Sequence, residues 1–281
     1  MSNVCILGAG ELGGSTAHAL ARGGRVGRVL LIDEQGTLAA GKALDIQQSG
    51  AVEGFHTHVS GTADVTRVAG AAVVVIADAG RLPGEWQGEA GLPIMTRLQG
   101  YPGNAPIVFA GAAQSDLILS AERDARFSRA RLLGSAPEAF ISAIRSIVAL
   151  EARCSPSEVT LSVLGTPPAG FVVPWSEASI GGYALERALS QVQIRQIEAR
   201  VARLWPPGPH ALGAAAARVV EALITSSRRA VTVLTVLGGE FGLRGRVGAL
   251  PCMVAPTGIV DVRMPTLNAR ERIQLETALG A

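Results

Sequence analysis

Residues 4–13 read Val4-Cys5-Ile6-Leu7-Gly8-Ala9-Gly10-Glu11-Leu12-Gly13. The first four are continuously apolar, as in a short strand buried on both faces. The glycines then fall in the spacing G-x-G-x-x-G, and residues 11–22 carry a helical pattern that stops at Gly23-Gly24. Strand, glycine turn and helix in that order form a dinucleotide fingerprint. Gly8 permits the tight turn, Gly10 lets the backbone approach a pyrophosphate, and Gly13 lets helix and strand pack closely. The helix start, at Glu11 and Leu12, offers free N–H groups and a partial positive charge to phosphates. Residues 28–33 form a second apolar strand that ends in an acid, Asp33, 20 residues past Gly13. A carboxylate there accepts ribose hydroxyls and repels a 2′-phosphate, so the expected cofactor is NAD rather than NADP.

Outward from this unit, residues 71–76, 107–110 and 131–133 read as further buried strands, and 37–48 and 137–150 as helices. Continuously apolar strands alternating with helices indicate a parallel sheet covered on both faces. The second half differs. Residues 159–164 read as a strand, 183–204 as one helix with apolar Leu185, Leu189, Val192, Val201 and Leu204, and 211–225 as another. Strand-like runs at 230–237, 246–254 and 259–264, separated by glycines, suggest an antiparallel sheet. Asn268-Ala269-Arg270-Glu271 resembles a capping box opening a last helix. The expected fold is α/β: a Rossmann domain over 1–134, then an α+β domain over 135–281.

Composition narrows the function. The 281 residues are 48% hydrophobic and 17% charged, with a net charge of +2. That balance excludes intrinsic disorder and gives no electrostatic case for nucleic acid or an anionic membrane. The longest purely apolar run, 71–77, is far short of the roughly 20 residues that span a bilayer. Cys5, Cys154 and Cys252 are too scattered for a disulfide framework or a metal site. Met1-Ser2-Asn3 lacks the basic start of a targeting signal. A cytoplasmic, reduced protein is expected. Lys42 is the single lysine among 25 basic residues.

Several stretches resemble the lactate/malate dehydrogenase family. Gly8 to Gly13 and Leu31-Ile32-Asp33 match its start, and Gly41-Lys42-Ala43-Leu44-Asp45-Ile46 its following helix. Ala69-Gly70-Ala71-Ala72-Val73-Val74-Val75-Ile76 with Ala79-Gly80 resembles its "AGADVVVITAG" segment. Val172-Val173-Pro174-Trp175, Gly239-Glu240-Phe241-Gly242, Val247-Gly248 and Leu267-Asn268 resemble its later motifs. The resemblance spans essentially the whole chain in order. It implies an NAD-binding Rossmann domain that includes Ala79 and Gly80 in the cofactor site, and an α+β substrate domain. It also implies assembly as a homo-oligomer, dimer or tetramer.

The resemblance lapses where that family does its chemistry. Hydride removal from a 2-hydroxy acid needs a base for the hydroxyl proton, a His oriented by an Asp, and arginines for the carboxylate. At the family's "G-x-H-G-D" segment this chain has Gly165-Thr166-Pro167-Pro168-Ala169-Gly170, so Pro167 or Pro168 falls at the His. At its "G-S-G-T-x-L-D-S-A-R" segment, Phe140 replaces the Asp and Ala143 the Arg. At "T-N-P-V-D" the Asn becomes Ala113, and Gln87 falls where a mobile-loop arginine is expected. Arg81 or Arg97 could substitute for that arginine.

Two residues are candidates for a relocated acid/base: His210, before the 211–225 helix, and Asp78, where the family usually has Thr. A carboxylate at 78 could instead weaken NAD binding by repelling the diphosphate, or simply bond backbone N–H groups. His18, His56 and His58 read as surface residues, and no metal site is expected. Trp86, Trp175 and Trp205 read as packing anchors, and Cys5 as core. The functional expectation is an NAD-binding family member without ordinary dehydrogenase activity: a sensor, partner subunit or scaffold. The alternative is an active NAD-dependent oxidoreductase on a different hydroxy or keto substrate.

Overall fold

The computed structural model describes residues 2–80, 84–101, 103–168, 170–226 and 230–279. In the first half, strands β1 (Asn3–Leu7), β2 (Arg28–Ile32), β3 (His58–Thr62), β4 (Val73–Ile76), β5 (Ile107–Phe109) and β6 (Leu132–Gly134) alternate with helices. These are α1 (Glu11–Gly23), α2 (Gly36–Glu53), α3 (Gly88–Leu98) and α4 (Ser115–Arg123). The strands lie in the order β3-β2-β1-β4-β5-β6, and each neighbouring pair is parallel. This is the doubly wound order expected of a Rossmann domain. The chain reverses winding direction between β1 and β4, and a crevice opens there at the carboxyl ends of the strands.

The pleat explains the layering. In β1, Val4 and Ile6 join the core under α1 and α2, while Cys5 and Leu7 join the core under α3 and α4. Both sets are buried, which is why the strand reads as an unbroken apolar run. Glu11 stands in the first turn of α1, and Gly24 ends the helix at φ 65°, a left-handed cap that suits glycine.

The second half continues the same sheet. After α5 (Ala136–Ala152) come β7 (Val159–Thr160), β8 (Leu164–Thr166), β9 (Gly170–Val172), β10 (Ser179–Ile180) and β11 (Tyr183–Ala184). Then follow α6 (Leu185–Ala188), α7 (Gln191–Val201), α8 (Pro209–Ile224), β12 (Val231–Gly238), β13 (Arg244–Ala255), β14 (Gly258–Val262) and α9 (Ala269–Leu279). Leu234 of β12 pairs with Gly134 of β6 and turns the sheet antiparallel, as the glycine-separated runs suggest. The α9 start is the reciprocal cap read from the sequence: Glu271 N donates to Asn268 Oδ1 and Asn268 N to Glu271 Oε2. α8 packs on α1 so closely that a Cβ at Gly213 would lie 2.8 Å from Ser15.

Two readings need correction. The helix expected over 183–204 is interrupted. Ser190 N and Oγ both donate to Gln193 Oε1, a cap that restarts the helix, while Leu185 and Leu189 keep apolar spacing across the break. The strand expected over 159–164 is two strands: β7 pairs with β10 in a separate small sheet, and β8 joins the main sheet beside β13. One helix has no counterpart in the sequence reading: α3, before β5, whose apolar face (Gly91, Met95, Leu98) is buried despite Pro93.

Candidate functional site

The fingerprint lies at the β1/β4 switch point. β1 ends at Leu7, and Gly8 turns at φ +101° with no room for a side chain: a Cβ there would lie 2.0 Å from the Asp78 carbonyl oxygen. A Cβ at Gly13 would lie 2.1 Å from the Gly8 carbonyl oxygen, so this glycine lets α1 sit against the turn. Both glycines serve the packing roles that their spacing implies.

Asp33 follows β2 and is buried. Its Oδ2 accepts from Ala9 N at 2.9 Å and Gly80 N at 2.8 Å, and its Oδ1 from Gln35 N at 2.9 Å. A carboxylate has about four lone-pair sites, so room remains for about one more donor, such as a ribose hydroxyl. Beside it opens a cavity of about 290 Å³ lined by Leu7, Gly8, Ile32, Asp33, Glu34, Gln35, Ala63, Val65, Ala79, Trp86, Ile94 and Arg97. That is the lower end of ligand-cleft sizes and suits one nucleoside rather than a whole dinucleotide. Trp86 keeps its indole N–H buried without a partner among the described residues. Arg97 lies in this wall, 3.8 Å from Glu34, and so belongs to the nucleoside side of the cleft. Arg81 lies outside the described residues.

Asp78, just beyond β4, is the other buried acid of the crevice. Its Oδ2 accepts from Leu12 N at 3.0 Å and its Oδ1 from Gly13 N at 2.8 Å. The helix dipole and these charge-assisted bonds hold the carboxylate at the start of α1. The position that a Cβ on Gly10 would take lies 2.2 Å from Asp78 Oδ2. The space vacated by the middle glycine, which the fingerprint reserves for a pyrophosphate, therefore holds a side chain of the chain itself.

Two contributors escape sequence reading. Lys42 reaches from α2 to the Gly10 carbonyl oxygen, with Nζ at 2.6 Å, and brings an ammonium to the glycine turn. Its signals in the sequence are that it is the chain's single lysine and that it lies in the Gly41–Ile46 stretch matched above, neither of which marks it for the glycine turn. Glu85 folds over the loop after β5, where its Oε1 accepts from Ala112 N at 2.8 Å and its Oε2 from Ala113 N at 2.7 Å. Nothing in its local sequence marks it. Gln114 is fully buried and completes the knot: its Oε1 accepts from Gly111 N, and its Nε2 donates to the Ala77 and Trp86 carbonyls.

The structure thus gathers Gly8, Gly10, Glu11, Leu12, Gly13, Asp33, Asp78, Ala79 and Gly80 at one mouth. His210 stands apart at the start of α8. It is exposed, its Nδ1 is 3.4 Å from Ser15 Oγ, and it makes no hydrogen bond to the gathered residues. His18 pairs with Glu53 at 2.7 Å on the surface, and His56 and His58 are exposed on either side of buried Thr57. Among the described residues no cluster of His, Cys, Asp or Glu could hold a metal. No helix among them is long and apolar enough to cross a membrane.

The segments around Phe140 and Pro167-Pro168, compared with the family motifs above, are packed. Phe140 on α5 is fully buried and meets Phe171 edge-on at 4.9 Å and Trp205 at 5.5 Å between ring centroids. Such pairs add roughly 0.5–1.5 kcal/mol beyond area burial. Pro167 and Pro168 form the turn between β8 and β9.

Comparison with known proteins agrees with this architecture. Residues 2–90 match the family model described as lactate/malate dehydrogenase, NAD binding domain. The chain is 28% identical to the malate dehydrogenase of Thioalkalivibrio sulfidiphilus, across 100% of this chain and 97% of that one. In structure it is similar to the malate dehydrogenase of Salinibacter ruber (TM-score 0.87, 24% identity, 99% of this chain and 94% of that one). A lactate dehydrogenase of Cryptosporidium parvum, solved with lactic acid and nicotinamide adenine dinucleotide, is also similar (TM-score 0.87, 22% identity, 99% and 95%). Glycine fingerprint, strand order and full-length similarity converge: residues 2–90 match the NAD-binding domain of the lactate/malate dehydrogenase family, and the whole chain is similar to malate dehydrogenases in sequence and shares the fold.

Proposed function

We propose that this protein binds NAD through residues 1–134 and performs no ordinary lactate or malate oxidation, serving as a sensor, partner subunit or scaffold. The observation that carries this reading is the aromatic cluster. Phe140 stands where the resemblance sets the Asp of the catalytic pair, fully buried against Phe171 and Trp205. A phenyl ring can neither orient a base nor hold a proton. Pro167 and Pro168, one of which falls at the family's His, have no titratable atom. A triad acting as a unit loses most of its rate when one member goes.

The nucleotide half of the reading rests on different residues. Asp33 and the neighbouring cavity would take the adenosine. The amides at Glu11 and Leu12, with Lys42, Ala79 and Gly80, would face the diphosphate. Bound NAD would supply a hydride acceptor, and residues 135–281 would supply the substrate-type domain. A relocated base finds little support: both Asp78 oxygens accept backbone N–H groups, and His210 is exposed beside Ser15. Exposed Leu44 and Val52 on α2 support a homo-oligomer that covers this helix, testable by sedimentation. The buried free thiols Cys5 and Cys252 suit a reducing, cytoplasmic setting.

The test is titration with NAD and NADP, followed by assay with malate, lactate and their keto acids. Saturable NAD binding that discriminates against NADP, without turnover, is the expected result. Turnover at rates ordinary for dehydrogenases would overturn the reading.

A further inference from the structure

The two acids of the crevice divide the nucleotide site unequally. Asp33 borders an open, nucleoside-sized cavity. Asp78 fills the neighbouring space above Gly10 and holds the amides of Leu12 and Gly13, which a diphosphate would otherwise engage. A diphosphate carries about two negative charges, and it would meet a buried carboxylate rather than a vacant cradle. Asp78 is also tied to the far side of the cleft. It bridges Glu85 in antiparallel fashion, and Glu85 holds the amides of Ala112 and Ala113. One short segment therefore places a carboxylate on each of two amide pairs along the strand ends.

We propose that Asp78 is a built-in competitor for the nucleotide diphosphate, so that the cleft takes adenosine-type ligands directly and takes NAD only when the Asp78 carboxylate is displaced. The inference rests on the NAD-binding reading above and refines it. Lys42 favours the displaced state. Its ammonium, now on the Gly10 carbonyl, has donors left for an incoming phosphate. The carboxylate thus sets how much nucleotide is needed to fill the site, a property suited to a sensor.

Calorimetric titration of the full chain with adenosine, ADP-ribose and NAD tests this, using the wild type, Asp78→Ala and Asp78→Asn. In the wild type, ADP-ribose should bind no tighter than adenosine. Asp78→Ala should tighten ADP-ribose and NAD by at least about tenfold and leave adenosine within about twofold, because two charge-assisted bonds no longer compete. Asp78→Asn keeps the shape and removes the charge, so it should shift the same way by less. Its thermal melt provides a folded comparison if the alanine variant unfolds. Wild-type ADP-ribose binding more than tenfold tighter than adenosine would overturn the proposal. So would NAD affinity that is unchanged or weakened in both variants, although NAD binding itself would then stand. Folded proteins that bind none of the three ligands would overturn both the proposal and the NAD-binding reading.

Discussion

The mouth of β1 and β4 and the region around α5, β8 and β9 are built from opposite materials. At the first, glycines, two buried carboxylates and backbone amides face one another beside an open cavity. At the second, Phe171 and Trp205 each pack edge to face on Phe140. Polar groups that are buried yet bonded hold a shape that a ligand can exploit, whereas a packed aromatic cluster only holds the fold. This contrast is what the proposed function rests on: nucleotide recognition at the first region, and core packing rather than acid–base chemistry at the second.

The largest test of this contrast is Phe140→Asp. Removing a buried phenylalanine costs about 3–5 kcal/mol, and an unpaired carboxylate in its place costs more. Urea unfolding should show that loss or failure to fold, and pairing it with Pro167→His or with Pro168→His should yield no malate or lactate turnover. A double variant of near-normal stability with measurable turnover would show that the second region is still a site.

Next in size is Gly8→Ala. With φ +101° and a Cβ only 2.0 Å from the Asp78 carbonyl, the substitution strains the turn and displaces β4. A loss of about 1–3 kcal/mol is expected, together with loss of adenosine binding in the same titration. Unchanged adenosine affinity would uncouple the fingerprint from the cavity.

Glu85→Gln sharpens the comparison from the other side. It leaves one of the Ala112 and Ala113 amides facing an NH₂ group, and should lower stability by about 1–2 kcal/mol in thermal melts. Adenosine binding should hold, because Glu85 lies outside the adenosine cavity. A fall in adenosine affinity equal to that of Gly8→Ala would merge the two sides into one unit.

The smallest effects are those of the thiols. Burial pushes Cys5 up to about 11 and Cys252 up to about 12, against an ordinary value near 9. A folded-state value above the unfolded one contributes stability that is complete below about pH 9 and is lost as pH rises through the folded values. Melting temperature should therefore decline between about pH 9 and pH 12. At neutral pH only Cys154 should react with a thiol reagent in the folded protein, because it is the one partly exposed cysteine. Prompt labelling of Cys5 would mean that β1 opens easily.

Much of this contrast is legible in the chain. Apolar runs bounded by glycine place β1, β2, β4 and β5, and the spacing of Gly8, Gly10, Gly13 and Asp33 locates the mouth, since each answers to a local steric need. Phe140 and the Pro167-Pro168 pair stand out against the resemblance. The break before α7 is hidden because Leu185 and Leu189 keep a helical spacing while the Ser190 cap restarts the turn. α3 is masked by its glycines and Pro93, which tertiary packing overrides. Asp78 is visible as a strand-end acid, and bonding of backbone N–H groups is one of the readings open to it. That these amides belong to α1, and that the carboxylate fills the Gly10 space, depends on how β4 meets the turn, which no local pattern encodes.

One measurement bears on the whole contrast: following NADH fluorescence first during titration of the protein and then, on the same saturated sample, after addition of oxaloacetate or pyruvate. Saturable binding followed by a constant NADH signal is the result this account predicts. Consumption of NADH with either keto acid would contradict it and return the α5–β9 region to service as an active site.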